Sequence, residues 1–211
     1  MTATARRRNT LMCLLTLWGG AVAVGTVWTI RLDARPGSMG HPPRDWNSSS
    51  RIQADTTRPT LLVFLHPKCP CSRATFALLL ELIDRFEERV AVHLVQLEPP
   101  AALPSWGRSF YENTLAARHS HVRIDHDPGG IEAKRFGVET SGHVLLFSVS
   151  GMLLFSGGIT PSRTLAEENQ GFQRLIAIVS GRAESKVESS PAVYGCPLET
   201  PASTAAAEDF R

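Results

Sequence analysis

Two cysteines separated by a single proline, Cys69 and Cys71 in HPKCPCSR (His66 to Arg73), are the residues best placed to do chemistry in this chain of 211 residues. Thiols this close can exchange with a disulfide, hold a soft metal ion, or simply bury as small side chains or a static bridge. An apolar run, TLLVFL, ends just before them and a helical pattern starts just after, so the pair sits at a strand-to-helix turn, a partly exposed place. Pro70 suits the first helical position, where its missing N–H loses no hydrogen bond, and Cys69 then becomes the capping residue. The free N–H groups of the first turn and the helix dipole favour thiolate over thiol at Cys69. Lys68 either adds to this effect or is an exposed solubilising charge. A thiolate is the species that attacks disulfides.

Two further cysteines have different surroundings. Cys13 lies in an uncharged apolar stretch and reads as a small apolar residue. Cys196, in YGCPLE near the C-terminus, is a candidate to resolve a mixed disulfide formed at Cys69, or an exposed thiol on a tail. The metal alternative asks for a third donor. Two thiolates with an imidazole suit copper or zinc rather than magnesium or calcium, and His143 or His66 could join Cys69 and Cys71. His119, His121 and His126, in ARHSHVRIDHD, read as an ordinary solvated loop. No GxGxxG, P-loop or HExxH pattern is present. The redox chemistry of the cysteines needs no cofactor; copper is the alternative.

Positioning these residues requires a domain, and the chain divides by composition. After Arg6, Arg7 and Arg8 comes LMCLLTLWGGAVAVGTVWTI, Leu11 to Ile30, without a charge and about 20 residues long, enough to cross a bilayer as a helix. The arginines should stay cytoplasmic, which gives a stub at 1–10, an anchor at 11–30 and an extracytoplasmic remainder: a single-pass protein of the cell membrane. The competing reading is a cleaved signal peptide, for which AVAVG offers small residues, although the apolar stretch is longer than the usual signal core. Residues 31–58, rich in Pro, Gly, Ser and charge, read as a linker, and 183–211 as a flexible tail carrying Cys196. A formal charge of +2 gives no reason to expect nucleic acid.

Between them, 59–182 alternates elements. TLLVFLH is a buried strand; SRATFALLLELIDRFEERV is an amphipathic helix with Phe76, Leu79, Leu80, Ile83 and Phe86 on one side; VAVHLVQL is a second strand, parallel to the first by the crossover rule. WGRSFYENTLAARH gives a second helix after the joint EPPAALP, HVRIDHD a third strand, and GGIEAKRFGV one or two helical turns. HVLLFSVSGMLLFSGG is a hairpin with Gly151 available for positive φ, and ENQGFQRLIAIVSG a last helix stopped by Gly181.

This order, with a Cys motif where the first strand turns into a long helix, resembles the thioredoxin fold in its membrane-tethered, TlpA-like form. DPGGIEAKRFGVETSG and HVLLFSVSGMLLFSGG are similar to that family's approach and hairpin. HPKCPCSRA, SGHVLLF, GGIT and YGCPL are similar to the TlpA-related RedB group. The resemblance implies an α/β fold, a central mixed sheet flanked by helices after one N-terminal transmembrane helix. It also implies action on protein thiols or disulfides, a membrane electron donor or assembly partner, and substrate contacts at Pro70, Ser141 and Gly142. Two departures stand out. Ser72 occupies the place of the family's second cysteine, so a Cys69–Cys71 bridge would close a tighter ring, strained and oxidising or isomerising in character. Gly142 stands where the family has a cis-proline, which alters backbone pairing with an incoming peptide and leaves room for another ligand. Three functions follow: a thiol–disulfide redox protein with Cys69, Cys71 and Cys196 as its reactive residues, a copper-handling module, or a non-catalytic thioredoxin-like interaction domain.

Overall fold

The computed structural model describes residues 3–86, 89–98, 111–119, 121–183 and 190–198. The chain forms two compact units, 1–35 and 36–211. The first is one helix, α1 (Ala3–Asp33), of which Asn9–Arg31 is long and apolar enough to cross a membrane.

The second unit is built on five strands: β1 (Thr60–Leu65), β2 (Ala91–Glu98), β3 (Arg123–Pro128), β4 (His143–Phe147) and β5 (Leu153–Gly158). Their order is β3-β2-β1-β4-β5; β1, β2 and β3 are parallel, and β4 and β5 run antiparallel to their neighbours. The helices are α2 (Pro70–Phe86), α3 (Tyr111–Arg118), α4 (Ile131–Arg135) and α5 (Gln170–Val179). The joint at 99–104 and the start of the expected second helix lie outside the described residues.

β1 is wholly buried because both of its faces are covered. Strand side chains alternate, so Leu61, Val63 and Leu65 meet Phe76, Leu79, Ile83 and Phe172 from α2 and α5, while Leu62 and Phe64 point into a second core on the opposite face. That second face has only α4, five residues long, to cover it. The remainder is covered by the stretch that composition marks as a linker. From Pro36 on, residues 31–58 belong to the compact unit: Ile52 is buried, and the Trp46 ring meets Phe136 and Phe147 edge-on with centroids 5.2 and 5.1 Å away. Asn47 Nδ2 donates to Arg135 O at 2.8 Å and Ser50 Oγ to Glu132 Oε2 at 2.6 Å. One tryptophan, one isoleucine and a few side-chain hydrogen bonds hold a polar segment that has no periodicity of its own.

The C-terminal stretch expected as a tail is also packed where it is described. Val193 and Leu198 are buried, Pro191 O accepts from Gly158 N at 3.1 Å beside β5, and Val193 O accepts from Gly37 N at 2.8 Å. This strap, 190–198, carries Cys196 to the front of the sheet.

Candidate functional site

The site forms where β1 ends. The chain turns at His66, with Cys69 N donating to His66 O at 3.0 Å and Lys68 N to His66 Nδ1 at 3.1 Å, and enters α2 at Pro70. Ser72 fixes that turn. Its Oγ donates to His66 O at 3.0 Å and lies 2.6 Å from Ser141 Oγ, which itself accepts from His66 N at 2.8 Å. Both serines are fully buried. Ser72 is thus a positioning hydroxyl that ties the Cys69 turn to the segment before β4.

That segment ends in Gly142, at φ 90, and its N–H donates to Phe64 O at 2.7 Å, a bond that proline could not make. No cis peptide bond occurs among the described residues. A side chain at Gly142 would meet Thr75 Oγ1 at 2.9 Å, so both its φ and the space available require glycine. The room expected there for another ligand is taken by Thr75 and by the strap, whose Tyr194 O lies 3.4 Å from the same point.

The strap then crosses the turn. Ser141 N donates to Cys196 O at 2.9 Å, Leu198 N to Glu139 O at 2.8 Å, and Thr140 pairs antiparallel with Pro197. The cysteine expected on a mobile tail is therefore held against the front edge of the sheet. Cys69 and Cys71 are 1% and 4% exposed, not partly exposed as a bare helix turn would be, because the strap lies over that turn.

Three thiols meet here, all free. Burial pushes the Cys69 thiol up, but the S–H of Cys196 and the backbone N–H groups of Ser72, Cys196 and Cys71 all donate to its sulfur and hold its pKa below the ordinary 9.0. The other two move the opposite way. Burial, the neighbouring Cys69 sulfur and the hydrogen bond donated to it push Cys71 up to about 11 and Cys196 up to about 12. Of the three thiols, Cys69 is therefore the one whose surroundings favour the thiolate, and the other two are held toward the protonated form. The cation that bears on Cys71 and Cys196 is Arg163, whose Nη1 donates to Gly195 O at 3.0 Å; Lys68 is exposed. Sequence reasoning missed Arg163, which lies in the irregular stretch after β5 with no motif around it.

The two histidines considered as a third donor have other partners. His143 is fully buried at the head of β4, with Nε2 2.9 Å from Ser156 Oγ, and His66 Nδ1 is engaged by Lys68 N. Among the described residues no group of three or more His, Cys, Asp or Glu side chains is arranged to hold a metal ion. His143 has a structural consequence instead. Burial holds its pKa down from 6.5 to about 4, so between those values the unfolded chain binds more protons and folding weakens as the pH falls. Unfolding by urea at pH 4.5 should show a free energy lower than at pH 7 by roughly 2–3 kcal/mol on this account. In His143→Gln, whose amide can still bond Ser156, that share of the pH dependence is expected to disappear.

The topology and the position of the cysteine turn give the chain a thioredoxin-like fold. No protein-family model matches it, and no curated protein matches it in sequence. Among solved structures it is similar to a hypothetical protein from Sinorhizobium meliloti (16% identity, 81% of this chain and 99% of that one, TM-score 0.55). It is also similar to an uncharacterized conserved protein from Geobacillus kaustophilus (14% identity, 81% and 94%, TM-score 0.54). StoA from Bacillus subtilis matches at 16% identity over 67% of this chain and 98% of that one, with a TM-score of 0.42.

Proposed function

We propose that this protein is a thiol–disulfide redox protein of the TlpA-like branch, anchored in the cell membrane by α1 and acting outside the cytoplasm on protein thiols and disulfides. The observation that carries the reading is the meeting of three free thiols where β1 turns into α2: Cys69 just before the first residue of α2, Cys71 within its first turn, and Cys196 brought in on the strap bonded to Ser141, with Cys69 the one whose surroundings favour the thiolate. An uncharged span preceded by Arg6, Arg7 and Arg8 supports an anchor with the folded unit translocated.

The exchange balances as follows. The Cys69 thiolate attacks one sulfur of a substrate disulfide; a mixed disulfide forms, and the other substrate sulfur leaves as thiolate and takes up a proton. A second protein thiol, deprotonated, then attacks the Cys69 sulfur, closes an internal disulfide and expels the first substrate sulfur. The substrate gains two electrons and the protein loses two; the reverse sequence oxidises a substrate dithiol. Cys196 is the resolving thiol in this reading. It approaches Cys69 from a separate segment, whereas Cys71, although within hydrogen-bond reach of the Cys69 sulfur, would have to close a strained ring.

Equilibrating the full-length protein with glutathione buffers of stepped ratio, followed by acid quenching and mass measurement, tests this. One reversible two-electron couple is expected, absent in Cys69→Ser and Cys196→Ser and present in Cys71→Ser. No couple in the wild-type chain would sink the reading, and loss in Cys71→Ser with retention in Cys196→Ser would reassign the resolving thiol.

A further inference from the structure

The strap that delivers Cys196 has two parts. Its first part, Pro191–Val193, is seated on a bed of glycines. A Cβ at Gly157 would lie 2.6 Å from Pro191 Cδ, and one at Gly158 2.2 Å from Ala192 O, so these positions accommodate the strap backbone only because they lack side chains. The second part, Gly195–Leu198, is held differently. Two antiparallel hydrogen bonds fasten it to the edge Glu139–Ser141, Ser141 N to Cys196 O and Leu198 N to Glu139 O, and together they make the Thr140–Pro197 bridge. Its outer side is open, for Pro197 is exposed and a recess of about 290 Å³ lined by Gly37, Ser38, Thr140 and Arg163 lies beside it. Gly195 is the joint between the two parts.

An extended backbone paired with a strand edge, presenting its sulfur to Cys69, is how a substrate's cysteine would have to arrive. We propose that Gly195–Leu198 is an internal competitor, seated on the edge Glu139–Ser141 beside the Cys69 turn in the groove where an extended polypeptide with a glycine-preceded cysteine would dock. The inference rests on the redox reading above, since the docked cysteine is the one that exchanges with Cys69. The latch itself specifies the ligand. A Cβ on Gly195 would fall 1.9 Å from Ser141 O, so the residue before the partner's cysteine must be glycine; Leu198 is buried beside Leu97 and Ala133, so an apolar residue belongs two places after it. A partner strand and the latch make the same backbone bonds and cannot be seated together.

The test uses the hexapeptide Tyr-Gly-Cys-Pro-Leu-Glu and its Tyr-Val-Cys counterpart, each cysteine carried as a mixed disulfide with 2-thiopyridine, and reads the rate of pyridine-2-thione release. The full-length chain with Cys13→Ser and Cys196→Ser keeps the latch seated. Adding Gly195→Val expels it, and a chain ending at Tyr194 lacks it, so two independent routes open the groove. Both open forms are expected to prefer the glycine peptide by about tenfold or more, the discrimination that exclusion of a side chain by a fitted site supplies. With the latch seated the two peptides should react equally slowly. Equal rates in the open forms overturn the groove, and an undiminished preference with the latch seated overturns the latch as competitor. Di(2-pyridyl) disulfide, which needs no groove, separates the two readings. If it reacts with Cys69 while the peptides are not discriminated, only the groove fails; if it does not react with Cys69, the redox reading fails and takes this inference with it.

Discussion

Replacing Cys69 with serine is expected to lower the single-turnover rate with a small aromatic disulfide at pH 7 by at least about tenfold, with Cys71→Ser remaining close to wild type. Two opposing effects set the size. With Cys69 in place, Cys71, at about 11, is ionised at pH 7 in about one molecule in ten thousand, and burial, the largest influence on it, persists in Cys69→Ser; an ordinary thiol at 9.0 is ionised in about one in a hundred, and Cys69, with a pKa lower than that, in more. Thiolate supply therefore favours Cys69 by at least about a hundredfold. Its thiolate is intrinsically the weaker nucleophile, and with a Brønsted slope of about 0.4–0.5 two pKa units return a factor of about ten to Cys71. Supply wins by the remaining factor. Stopped-flow measurement of the leaving thiolate checks this, and equal rates in Cys69→Ser and wild type would move the nucleophile elsewhere.

The parts of this arrangement legible in the sequence are those with a period or a motif. The burial of β1 on both faces, the stripe of Phe76, Leu79 and Ile83 on α2, the hairpin turning at Gly151 with φ 84, and the stop after α5 at Gly181 with φ 73 all follow from local rules. The place of Cys69 at the N-terminus of α2 was legible too, from Pro70 and the strand before it. What covers and completes the site was not. Trp46 and Ile52 in one polar segment, and Val193, Cys196 and Leu198 in another, dock through single residues and backbone bonds to distant glycines. Such contacts leave no periodic trace, and composition alone makes both segments look unstructured. Their partners were visible only as separate oddities: Gly142 where a proline was expected, Ser72 where a cysteine was expected, and the pair Gly157–Gly158 at the end of a strand. In the structure the first two place the turn and the segment that faces it, and the pair seats the strap.

The role of Cys196 before any disulfide forms gives the second large effect. In Cys196→Ala the S–H donor to Cys69 is lost while the N–H donors of Cys71 and Ser72 stay, so the Cys69 pKa should move upward. A hydrogen bond to a charged group contributes about 1.5–3 kcal/mol and a thiol is a weak donor, which places the shift near the lower end, at about one pKa unit. The sign is fixed: removing a bond that favours the thiolate raises the pH at which it forms. At pH values below that midpoint the thiolate fraction should then fall about tenfold, and the greater nucleophilicity of the remaining thiolate should recover about threefold of that. Because alanine also uncovers the sulfur, the amplitude of the alkylation rate mixes access with ionisation. The midpoint of its pH profile does not, and it separates the two causes. An upward move of the midpoint identifies Cys196 as the group that tunes the nucleophile it later resolves. An unchanged midpoint would assign the lowered pKa to the helix-turn amides and leave Cys196 only its part in closing the disulfide. Cys71→Ala provides the internal comparison. Cys196 lowers the Cys69 pKa chiefly through its side chain and Cys71 through its backbone N–H, which alanine keeps, so Cys71→Ala should shift the Cys69 midpoint by less than the loss of Cys196 does.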